Sequence, residues 1–135
     1  MLTHSANGRV RRLVLSAEEG IYANALDSAA LVGAGPGRVL ILSTSYGSRP
    51  LGPTHMCGAG TETVIRVILL RPDLRQTFSE RVESCWTSIE AGRIVWNRSD
   101  QTLLLETFGG PGEGHSVKTY AVQDGGAVRL QPAGD

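Results

Sequence analysis

Three side chains able to carry soft-metal or nucleophilic chemistry sit side by side in one loop: His55, Met56 and Cys57. Imidazole, thioether and thiolate all bind copper(I), and imidazole and thiolate bind zinc. A zinc site needs four ligands, or three and a water. Beyond this run the chain supplies only His4, His115 and Cys85 as further histidine or cysteine donors. No pair of them falls at a spacing familiar from metal sites, so neither a metal nor any other cofactor is expected. A thiol enzyme would use Cys57 as nucleophile and His55 or His115 as base, and would need Cys57 free. Cys85 offers the competing outcome. Two cysteines in a small glycine-rich chain are an even pair, and a Cys57–Cys85 disulfide closing 28 residues would stabilise the fold by about 3.6 kcal/mol in the chain-entropy model. Gly58 and Gly60 suit that outcome, because small residues let two backbones approach at a bridge.

Other motifs fall to plainer explanations. Gly109-Gly110-Pro111-Gly112-Glu113-Gly114 lacks the Gly-Lys-Ser/Thr ending of a phosphate loop. Gly33-Ala34-Gly35-Pro36-Gly37 is followed by a strand pattern, which leaves no helix to receive a pyrophosphate. Both read as turns. The carboxylates Glu62, Glu80, Glu83, Glu90, Asp100 and Glu106 show no spacing that marks an acid–base pair, although such pairs can converge from distant strands. Asn97-Arg98-Ser99 matches a glycosylation sequon and equally fits a hairpin turn.

Composition narrows the partners. The chain has 135 residues, 41% of them hydrophobic and 19% charged, enough for one domain with its own core, spanning residues 1–135. Thirteen basic and thirteen acidic residues give a formal net charge of zero. Nucleic-acid binding, which depends on a basic excess, is not expected. Twelve of the basic residues are Arg and Lys118 is the single Lys, as a GC-rich genome would produce. The longest aliphatic run, residues 64–70, is interrupted by Arg66 and is too short for a membrane span, so no membrane insertion is expected. The first eight residues lack the apolar stretch of a secretory signal. A disulfide nevertheless favours a periplasmic or secreted location with a leader removed; a cytoplasmic location is the alternative.

The elements that must position these residues are mostly strands. Seventeen glycines and six prolines punctuate short β-forming runs. Strand patterns cover residues 10–16, 38–46, 62–71, 92–96, 102–108, 117–122 and 127–130, with turn signals at 97–100 and 123–126. Residues 17–35 are ambiguous. So are residues 72–90, where Leu74, Phe78, Val82, Cys85 and Ile89 repeat at helical spacing while residues 82–89 also fit a strand carrying Cys85. Trp86 and Trp96 would meet across a hairpin. The expected fold is a mainly β antiparallel sandwich or barrel-like meander of about eight or nine strands. The alternative is α+β with one helix over residues 73–90.

In size, β content and its single cysteine pair the chain resembles small exported bacterial β proteins that bind and block an enzyme, such as periplasmic lysozyme inhibitors and immunity proteins of secreted toxins. No motif carries the resemblance, so it assigns no residue. It implies a non-catalytic envelope protein whose partner is another protein, engaged through the long loops 47–61 and 109–115. Arg49, His55, Glu113 and His115 are the candidate binding residues there. The alternatives are a structural or accessory subunit of an envelope assembly and a small enzyme with a Cys/His site.

Overall fold

The computed structural model describes residues 2–6, 8–15, 21, 26–49, 57, 60–109 and 114–132. These contain ten strands: β1 (Leu2–Ala6), β2 (Arg9–Leu13), β3 (Leu26–Gly35), β4 (Val39–Gly47), β5 (Thr61–Leu69), β6 (Arg75–Glu83), β7 (Ile89–Asn97), β8 (Thr102–Gly109), β9 (His115–Val122) and β10 (Val128–Leu130). Strands β1 and β2 form a separate hairpin. The other eight form two four-stranded antiparallel sheets, β3-β4-β5-β6 and β7-β8-β9-β10, each wound as a meander. The mainly β expectation holds, and a sandwich is the form it takes.

The composition of β5 explains its central place. Thr-Glu-Thr-Val-Ile-Arg-Val-Ile-Leu is rich in β-branched residues, and everything from Glu62 to Leu69 is buried. Ile65, Val67 and Leu69 face the second sheet with Val39 and Ile41 of β4 and Val82 of β6. Leu103 and Leu105 of β8 and Tyr120 and Val122 of β9 meet them from the other side. Burial of each such aliphatic side chain contributes about 1.5–3 kcal/mol. The opposite face of β5 is covered too. Ile68 packs with Leu13 and Leu15, and Val64 packs with Ile21 and Leu26, so these four side chains lie over the outer face of the first sheet.

The helix over 73–90 is absent. Residues 75–83 are β6, residues 85–88 are a turn, and Cys85 belongs to that turn rather than to a strand over 82–89. The helical spacing is produced by a bulge. Pairing shifts between Val67↔Phe78 and Ile68↔Gln76 leave Thr77 as an extra residue. Leu74 therefore packs on the outer cluster and Phe78 on the core, although four residues separate them. A second shift lies between Thr63↔Glu83 and Val64↔Arg81. In the ambiguous 17–35 region, residues 26–35 form β3, also bulged.

The two sheets join at a corner. An antiparallel bridge links Ser84 to Ile89, so β6 passes into β7 through the five residues 84–88. The far end of β7 lies against β3, where Trp96 covers Gly33. Trp86 and Trp96 thus flank opposite ends of β7 and do not meet across a hairpin.

Ile65→Ala should lower unfolding free energy by about 2–5 kcal/mol, the usual cost of a cavity in a packed core. Val117→Ala, on the open face of the second sheet, should change it by less than about 0.5 kcal/mol. Urea titrations at fixed redox state measure both.

Candidate functional site

A meander sends alternate connections to opposite ends. The connections β4–β5 (48–60), β6–β7 (84–88) and β8–β9 (110–114) therefore leave the sandwich at the same end. These include both long loops singled out in the sequence. His55 and Glu113 lie outside the described residues. Arg49, Cys57, Cys85 and His115 are described and all stand at this end.

Two devices brace it. The first is covalent: Cys57 and Cys85 form a disulfide with an S–S distance of 1.96 Å and Cα atoms 5.6 Å apart. The bridge ties the β4–β5 loop to the β6–β7 turn, and it occupies the sulfur that a Cys57 nucleophile would need. Gly60 is required beside it. A Cβ there would lie 2.7 Å from the Cβ of Cys85, closer than two carbons can pack.

The second device is the carboxylate of Glu62, fully buried at the start of β5. It accepts hydrogen bonds from Ser48 Oγ at 2.6 Å, Ser84 Oγ at 2.5 Å and the Cys85 backbone N–H at 2.7 Å. Arg81 adds an ion pair at 3.3 Å. A buried charge is tolerable only when its acceptor sites are filled in this way. One carboxylate thereby joins the end of β4, the start of β5, β6 and the β6–β7 turn. Trp86 extends the joint, donating from Nε1 to the Arg49 carbonyl at 2.7 Å. Arg49 itself is exposed, just beyond β4.

His115 belongs to a different cluster at the same end. It opens β9 directly opposite Phe108 of β8, and the two rings stack with centroids 4.8 Å apart and planes 13° from parallel. Its Nε2 lies 2.6 Å from Oε2 of Glu106. Glu106 also accepts from the Arg93 backbone N–H at 3.0 Å, from Arg93 Nε at 3.1 Å and from a terminal guanidinium nitrogen at 3.3 Å. Gly92 leaves room for this, since a Cβ there would lie 2.6 Å from Oε1 of Glu106. The Arg93 side chain, the Arg93 backbone N–H and His115, in that order, hold the Glu106 carboxyl down at about 2. The ionised carboxylate holds the imidazole in place through Nε2. His115 and Phe108 remain 52% and 43% exposed, so a held imidazole and a flat apolar ring are offered together to solvent.

Glu106 and Arg93 were not singled out as binding residues from sequence, but hairpin arithmetic finds them. Once β8 and β9 pair around the 110–114 loop, His115 faces Phe108, and Glu106 stands two residues along the same face. A third polar cluster lies at the seam between the sheets. The Tyr120 hydroxyl bonds Glu80, which also meets Lys118 Nζ at 3.4 Å. Burial first, and the bond to Glu80 second, push the Tyr120 hydroxyl well above the usual phenol range.

Among the described residues no three His, Cys, Asp or Glu side chains converge as a metal site. No described helix is long and apolar enough to cross a membrane. Asn97 of the sequon caps its own turn, its Oδ1 accepting from the backbone N–H of Ser99 and of Asp100. Neither protein-family models, curated proteins nor solved structures yield a match to the chain.

Two outcomes test the bracing. Glu62→Ala leaves Ser48, Ser84, the Cys85 N–H and Arg81 without their shared acceptor, and should cost about 3 kcal/mol or more. The second concerns pH. The folded state binds the Glu106 proton less tightly than the unfolded chain does. The stabilisation is complete above the ordinary value of 4.5, and disappears as pH falls toward about 2. Glu106→Gln should therefore flatten the stability–pH curve below pH 4.5, as read from thermal unfolding across that window.

Proposed function

We propose that this is a non-catalytic binding protein of the cell envelope that engages another protein through its braced end, as an inhibitor or immunity protein engages the enzyme it blocks. One observation carries the proposal. Three connections leave the sandwich at one end, and that end is held by both a disulfide and a buried carboxylate joint. Loop ends anchored in this way lose less conformational entropy on binding, which favours affinity. The stacked His115–Phe108 pair supplies an aromatic contact with an imidazole held in place by Glu106. Arg49, His55 and Glu113 are the further contact residues, contributed by the loops on either side. The disulfide supports an oxidising compartment, periplasmic or extracellular.

A second role, as an accessory subunit of an assembly, is favoured by the long edge strand β3, which among the described residues pairs only with β4.

Affinity capture with the oxidised protein, tethered by its C-terminus, tests the binding proposal. Envelope and secreted fractions are passed over it, and captured enzymes are assayed with and without added protein. Phe108→Ala and His115→Ala should each weaken capture and inhibition about tenfold, as loss of a central interface anchor does. Arg71→Ala, at the opposite end, should change neither. Equal capture by all three variants would show that the braced end is not the binding surface.

A further inference from the structure

Strand β3 is the edge of the first sheet. It pairs with β4 on one side, and among the described residues no strand pairs with it on the other. Edge strands exposed in this way present a row of free backbone donors and acceptors, and proteins usually guard them with charge, proline or short length. This edge has little such protection. It runs ten residues, Leu-Asp-Ser-Ala-Ala-Leu-Val-Gly-Ala-Gly, with one charge and no proline. One bulge falls at Asp27 and the other at Val32, and between them residues 28–31 pair regularly with β4. Within that stretch Ser28, Ala29 and Ala30 are small, and Leu31 is 63% exposed.

Two charges flank this edge without a partner among the described residues. Asp27 is the single charge of β3 and stands near its start. Arg98 stands near its end, in a cleft of about 630 Å³ lined by Gly33, Ala34, Gly35, Pro36, Trp96 and Gln101. Within one chain these two are separated by most of the length of β3.

We infer that β3 is the pairing edge for a second copy of this chain, joined antiparallel about a two-fold axis at Ala30. An edge strand meeting its own copy antiparallel is complementary in hydrogen bonding by symmetry. An axis at Ala30 sets Leu31 against Ala29 of the second copy, apolar against apolar on the same face. It also carries Asp27 alongside Gly33 and Ala34 of the second copy, beside the cleft that holds Arg98. The two charges then pair twice, once on each side of the axis. A net charge of zero leaves no overall repulsion between copies. The dimer would continue the first sheet across eight strands, and it leaves the loop end of each copy open whatever that end binds.

Sedimentation velocity of the oxidised full chain, over a range of concentrations, tests the proposal. The expected result is a reversible dimer. Leu31→Lys, at an exposed position, sets like charges about the axis and should raise the dimer dissociation constant by about tenfold or more. Asp27→Arg should weaken the dimer as well, and the double variant Asp27→Arg with Arg98→Asp should restore it. Unchanged thermal unfolding of each variant at low concentration confirms that the fold persists. A monomer at every concentration overturns the proposal and leaves the edge to an extended segment of a different protein. A dimer indifferent to Leu31→Lys, or one that the double variant fails to restore, overturns it equally.

Discussion

Strand β5 is buried on both faces, and this single constraint propagates through the rest of the protein. A strand covered on one side only could turn its polar residues to water. Here Glu62 and Arg66 have no such outlet, and both are fully buried. Their charges must be met inside. Arg66 donates to Thr44 Oγ1 at 2.9 Å, Gln76 Oε1 at 2.7 Å and the Tyr46 hydroxyl at 2.9 Å. These bonds fix β4, β5 and β6 in one register, since a shift of one residue would move every partner to the wrong face. Glu62 does the same at the end of the sheet, where its partners lie beyond the strands. Leu13, Leu15, Ile21 and Leu26 complete the arrangement, for without them the outer face of β5 would be wet.

The braced end follows from the same constraint. Glu62 can be buried only because Ser48, Ser84 and the Cys85 N–H close around it, and they come from two different connections, β4–β5 and β6–β7. Once these are drawn together, Cys57 and Cys85 are at bonding distance and Gly60 has no space for a side chain. Electrostatics and covalent chemistry thus reinforce one geometry. The second sheet is built otherwise. Its outer face carries Glu106 in a ring of donors but leaves Phe108 and Val117 exposed, so it is satisfied without being covered.

Much of this was legible in the sequence, for identifiable reasons. The hairpins at 97–100 and 123–126 carry turn residues whose backbone preferences are local, and both turns are present. The disulfide was legible because only two cysteines exist and the glycines beside Cys57 suit a close approach. The region 72–90 was not, because a bulge at Thr77 moves apolar residues from one face to the other and so imitates a helical repeat. Strand β3 was obscured by glycines and alanines that weaken either period. The Glu106 cluster needed the β8–β9 register before its members could be seen as neighbours. Glu62 gave one unused signal: a carboxylate opening a strand with apolar residues on both faces must be either an error of assignment or a buried joint.

The disulfide and the buried Glu62 carboxylate together hold one end of the sandwich as a rigid unit. Amide hydrogen exchange at Ser48, Gly60 and Cys85, in oxidised and reduced protein, tests it most directly, since these N–H groups bond to Gly60 O, Cys57 O and Glu62 respectively. In the oxidised protein their protection should approach that of the β4 and β5 amides. On reduction they should exchange faster, with Gly60 first, while the core strands keep their protection. Fast exchange at these three amides in the oxidised protein, or rates indifferent to reduction, would show that this end is not held rigid by the disulfide and Glu62.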